Sequence, residues 1–144
     1  MSYTTDVLEG MAADIDAAGL GVYRGPDGQF ARDEEVRAIV FSRMPEFPDE
    51  AIVLTRFGDH PAELAINEAE IQIRYRVRSP LAGERLADDL RDLFHDRTHV
   101  TYGAALFNRI KQAGFGPLGV DTNDRYEYSH NFVLTGNRYR TNSP

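Results

Sequence analysis

Residues 71–80 read IQIRYRVRSP. Up to Val77 the alternation is strict: Ile71, Ile73, Tyr75 and Val77 fall on one side, and Gln72, Arg74, Arg76 and Arg78 on the other. A strand turns successive side chains to opposite faces, so this pattern predicts a half-buried β-strand over 69–78. Its arginines stand in file, about 6–7 Å apart. Like charges so placed repel unless something negative lies opposite, either in the same sheet or on another molecule.

The surrounding chain sets limits on that partner. With 144 residues, the sequence is of a size for one domain, 1–136, followed by a flexible tail at 137–144. There is no cysteine, which excludes disulfides and thiolate metal sites. The start carries acids where a secretion signal would carry bases, and no apolar run reaches a membrane-spanning length. The expected compartment before any assembly is therefore the cytoplasm. A net charge of −7 argues against a general nucleic-acid binder. The charge is uneven: residues 1–23 hold Asp6, Glu9, Asp14 and Asp16 with no base, and 44–70 are strongly acidic, whereas 71–78 are basic. Opposite-sign sectors on one small domain suit self-association.

Apolar spacing at Val7, Leu8, Met11, Ala12 and Ile15 predicts a helix over 3–18, with Gly19 as its stop. A second helix is expected at 80–96, capped by Ser79, opened by Pro80 and buried through Leu86, Leu90, Leu93 and Phe94. Strand signals occur at 20–24, 36–44, 51–57, 99–103, 105–113 and 125–135. Loops are expected at 58–68 and, from its glycines and proline, at 114–124. Grouped strands between two helices predict an α+β fold: two helices packed on one face of a largely antiparallel or mixed sheet of about 4–6 strands.

No constellation makes a convincing active site. GFGPLG at 114–119 fits a G-x-G-x-x-G pattern, but the pattern needs a strand before it and a helix after it, and turn residues follow instead. His95 and His99 are four apart, yet the helix is ending there. No catalytic, cofactor-binding or metal-binding residue is assigned, and no cofactor is expected.

Two segments, MPEFPDEAIVLTRFG at 44–58 and PLGVDTNDRYEYSHNFVL at 117–134, resemble the minor capsid and tail-terminator proteins of long-tailed bacteriophages. The second carries an aspartate-containing turn leading to an arginine and an Asn-aromatic pair, here Asp121, Arg125, Asn131 and Phe132. With the element order, the resemblance runs from about residue 5 to 136. It implies a non-enzymatic virion protein: a ring, usually hexameric, at the head-proximal end of the tail tube. Its partners would be copies of itself, the tail tube protein and the head–tail connector, with DNA only as cargo through the lumen. On that reading the subunit or ring interface comprises Arg74, Arg76, Arg78, Phe115, Leu118, Val120, Asp121 and Arg125. The arginine row then meets acids of an adjacent subunit; acids of its own sheet and DNA phosphate are the alternatives. A competing reading is a small α+β enzyme or ligand-binding protein. Its site would lie near 114–124 and 126–132, with a perturbed His130 in a concave pocket.

Overall fold

The computed structural model describes residues 3–60 and 66–137. The order is α1 (Tyr3–Ala17), β1 (Val22–Tyr23), β2 (Arg37–Phe41), β3 (Glu50–His60), β4 (Ile66–Val77), α2 (Pro80–Phe94), β5 (Thr98–Tyr102), β6 (Ala105–Val120) and β7 (Tyr126–Asn137). Among the described residues all seven strands join one sheet, in the order β1-β2-β3-β4-β7-β6-β5. This corrects the expected 4–6 strands: the short segments at 22–23 and 98–102 add to the edges rather than standing apart. The sheet is mixed, with β1, β2 and β3 parallel and the remaining neighbours antiparallel.

The alternation in β4 fixes which face is buried. Ile71, Ile73, Tyr75 and Val77 lie opposite Phe132, His130, Tyr128 and Tyr126 of β7, so apolar rows from both strands share one face. Both helices cover that face and join its residues in one core cluster. α2 rests on β4, β7 and β6, placing Leu86, Leu90 and Phe94 against it. α1 touches β1, β2 and β3 and also β5 and β6. It reaches both flanks because the sheet curls around the helices. Burial of each large apolar side chain contributes about 1.5–3 kcal/mol, so the face itself is the main source of stability.

The helix boundaries follow local chemistry. Ser79 is extended, and its hydroxyl accepts a bond from the Ala82 N–H at 3.1 Å, with Pro80 at the first helical position. Gly19 at φ 78° ends α1 in the left-handed region.

The acids of α1 serve as fasteners. Tyr23 in β1 donates to Glu9 at 3.0 Å through its hydroxyl and to Asp16 at 2.7 Å through its backbone N–H. On the other flank, Asp14 Oδ2 accepts from Arg97 Nη1 and the Tyr102 hydroxyl, both at 2.7 Å. Asp6, only 5% exposed, accepts from the Ala104 N–H in the β5–β6 turn.

The expected loop at 114–124 is another correction. β6 continues through Val120, and only Asp121–Arg125 turns the chain. Residues 58–60 likewise belong to β3 and 66–68 to β4, while 61–65 lie outside the described residues. The two central hairpins are thus long, and strand pairing has overridden local turn signals.

Candidate assembly surface

The arginine row lies on the face away from the helices, as its alternation requires, and its partners in the described residues belong to the same chain. Arg74 Nη2 sits 3.3 Å from Glu127 on the neighbouring strand. Arg76 is only 3% exposed. Its Nε donates to the Asp49 carbonyl at 2.8 Å, and its Nη2 to the Pro48 carbonyl at 2.7 Å. Burial, and then the nearby Arg125 guanidinium, lower its pKa, yet an arginine keeps its proton in such a site. Arg78, more exposed, lies 3.4 Å from Asp49, and its backbone N–H donates to Glu50 Oε2 at 3.1 Å. The expectation that Arg76 presents its charge to a neighbour is therefore corrected. A buried guanidinium committed to carbonyls of 48–49 fastens that loop over the sheet.

Arg125 fastens the same loop from the hairpin tip. Asp121 Oδ1 accepts the N–H groups of Asn123 and Arg125, at 2.9 and 3.0 Å, and its Oδ2 accepts from Arg125 Nε at 2.8 Å. Desolvation opposes the charge on Asp121, but these donors prevail and lower its pKa. The other arm of Arg125 donates to the Glu46 carbonyl at 3.0 Å and lies 3.4 Å from Asp49. Asp121 and Arg125 thus set the tip, while Asn131 and Phe132 face opposite sides of β7. Phe132 is buried against Phe94, with ring centroids 5.5 Å apart.

Phe115, Leu118 and Val120 lie along the last turn-ward stretch of β6, exposed by 39%, 54% and 55%. Phe115 stacks on Tyr128 at 5.9 Å and meets the His130 ring edge-on at 5.2 Å. The glycine pattern at 114–119 sits inside this strand and runs into a turn, so no helix N-terminus is presented to a phosphate.

A cavity of about 350 Å³ opens between α2 and the β6–β7 pair, lined by Glu84, Ala87, Asp88, Arg91, His95, Gln112, Phe115 and His130. His130 is 1% exposed, and burial, with the Arg91 guanidinium adding to it, lowers its pKa from 6.5 to about 4. Its Nε2 lies 3.1 Å from Gln112 Oε1, while its Nδ1 is buried without a hydrogen-bond partner. His95 follows the end of α2, and its Nδ1 accepts the Gln112 N–H at 2.9 Å. Among the described residues no group of three His, Cys, Asp or Glu side chains is placed to hold a metal ion. The sequence pattern marked His130 and Phe115. It did not mark Gln112, Arg91 or Glu84, which reach the cavity only through the packing of α2 on β6.

This geometry has a pH signature. Because the folded pKa of His130 is depressed, its contribution to stability is complete above about pH 6.5 and is lost as pH falls toward about 4. The expected loss is about 3 kcal/mol. Urea unfolding at stepped pH should show it as the difference between the parent chain and H130Q; parallel curves for the two would contradict it.

A seven-stranded mixed sheet curled around two helices, with one long glycine-bearing hairpin, defines the fold class. The same fold recurs in a chain from the virion of a native gene transfer agent particle, with a TM-score of 0.62 at 7% identity, over 95% of this chain and 100% of that one. The family model described as bacteriophage tail terminator protein matches residues 15–138, and the chain belongs to that family. No curated protein matches the sequence. The chain is accordingly a structural phage protein.

Proposed function

We propose that the chain is the subunit of a hexameric ring that ends the tail tube at its head-proximal side and joins it to the head–tail connector, within particles assembled in the host cytoplasm. The observation that carries this reading is the pairing of family membership with an apolar end on β6. Phe115, Leu118 and Val120 stay open to solvent there. Exposed large apolar side chains along one strand end suit a contact surface. Asp121 and Arg125 hold the hairpin tip in shape, while Arg74 and Arg78 lie on the sheet face away from the helices, beside Glu127 and Asp49. The contacts would run to a second subunit, to the tail tube protein and to the connector, with DNA passing as cargo.

The test is sedimentation and electron microscopy of the purified chain, where the ring should have six times the 16.2 kDa subunit mass. The pair L118E and V120E should abolish rings and leave tails of uncontrolled length on complementation. Monomer stability should change by about 0.5 kcal/mol or less, since both side chains are exposed. A double variant that still caps tails of normal length would sink the reading.

The cavity beside His130 favours a second reading, a small-ligand site. Its lining offers a neutral imidazole but no hydroxyl, thiol or amine nucleophile for it to activate. A saturable small ligand whose binding is lost in H130Q, in a chain that never assembles, would favour this reading over the ring.

A further inference from the structure

The outer edge of β6 is closed only over its first half. β5 pairs with it as far as Arg109. Ile110 then exchanges bonds with Asp96 and Arg97, and Gln112 donates to His95. From residue 113 to 120, β6 has a strand neighbour on one side only, β7, among the described residues. Its outward peptide groups therefore form a template for an added strand. The cavity between α2 and β6 adjoins this edge and shares Phe115 with it. Two carboxylates, Glu84 and Asp88, stand in that cavity against one guanidinium, Arg91, with His95 beside them. His130, whose Nδ1 is buried without a hydrogen-bond partner, borders the same space, as does the exposed ring of Phe115. With Nε2 donating to Gln112, that Nδ1 is a bare acceptor. The site thus asks for an extended segment bearing a cationic donor, and an aromatic face is ready for a guanidinium.

One segment of this chain has that chemistry. Residues 138–144, RYRTNSP, follow β7 and alternate Arg138, Tyr139, Arg140, with no acid. As a strand they would set both arginines on one face. We propose that residues 138–144 of a second copy add to the open edge of β6 and place an arginine in the cavity between α2 and β6. The segment is too short to do this in its own chain. It begins after Asn137, next to Gly136, which pairs with Phe107. Phe115 pairs with His130, seven residues back along β7 from Asn137, or about 23 Å, and Val120 lies about 36 Å from it. Seven residues span at most about 25 Å, and the chain must also reverse and cross β6. The contact is consequently head-to-tail, which closes into rings when the rotation permits. The inference rests on the self-association proposed above and names the element that joins the copies.

Because the chain has no cysteine, the test can be made with single thiols. Protein carrying L118C is mixed with protein carrying T141C and oxidised; D89C, on the exposed side of α2, replaces L118C as the control. A mixed disulfide dimer well above the control is expected, and E84K with D88K should lower its yield roughly tenfold. Sedimentation of the unmodified chain runs alongside. Rings that form while the mixed disulfide stays at the control level overturn the docking and leave the ring intact. A disulfide formed only within a chain carrying both thiols makes the chain's own tail the occupant and overturns the second copy. A mixed disulfide in a chain that never forms rings upholds the docking and removes the ring. Monomer throughout, without a disulfide, overturns both.

Discussion

Reversing two charges of the arginine row, R74E with R76E, is expected to unfold the subunit rather than merely disarm a surface. Arg76 is buried with its guanidinium on the carbonyls of Pro48 and Asp49. A glutamate there would set a carboxylate against those carbonyls, with Asp49, Asp121 and Glu127 close enough to act on it. Breaking such a buried charged network costs about 3–5 kcal/mol. Arg74 adds a cross-strand pair with Glu127 that turns repulsive on reversal. Arg78 is the internal control: it is exposed, and R78E should shift stability by about 0.5 kcal/mol or less. Urea midpoints of the three proteins check this, and an unchanged midpoint for the double variant would refute the anchoring role of Arg76.

Removing the Asp14 carboxylate in D14A should open one flank of the curled sheet. That oxygen receives both Arg97 and the hydroxyl of Tyr102, a residue 4% exposed. Burial, then the bond to Asp14, raise the tyrosine pKa, so the hydroxyl is a donor throughout the ordinary pH range. Hydrogen bonds to a charged acceptor contribute about 1.5–3 kcal/mol, and the expected loss is about 2–3 kcal/mol. Y102F should cost less, and D14A with Y102F should cost less than the sum of the two, because both remove the same bond. Hydrogen exchange should accelerate in β5 before it does in β4. Equal exchange in D14A and the parent chain would show that the flank is held by apolar contacts alone.

The helices and the β4 alternation were legible because each is a local pattern. Ser79 and Pro80 mark a helix start, and Ile71 through Val77 name the buried face without knowledge of any partner. The reach of β6 was not legible. Gly114, Gly116, Pro117 and Gly119 spell a turn locally, and only pairing with Tyr126–Asn131 of β7 makes them a strand. Phe115, Leu118 and Val120, spaced three and then two apart, follow no strict strand period, because the register shifts within this stretch. The number of strands was missed for a related reason: two-residue β1 and five-residue β5 gain their place from neighbours distant in sequence. Arg76 was assigned the correct side of the strand, but the loop that covers that side comes from residues 46–49. The acids of α1 read as a charged sector, whereas Glu9, Asp14 and Asp16 find their partners 7 to 88 residues away.

The irregularity of β6 has a consequence for the time between synthesis and use. Its register against β7 shifts between Phe107 and Arg109, between Gln112 and Gly114, and between Pro117 and Gly119. Each shift bends and twists the strand, and Gly119, at φ 117°, takes a conformation that side-chain-bearing residues rarely adopt. Pro117 also withdraws one N–H from the ladder. Amyloid-like stacking needs flat, identical strands laid in register without proline. An edge bent at intervals refuses that geometry while admitting a single segment shaped to it. The bends of β6 thus work against in-register stacking of free subunits while its apolar edge stays exposed.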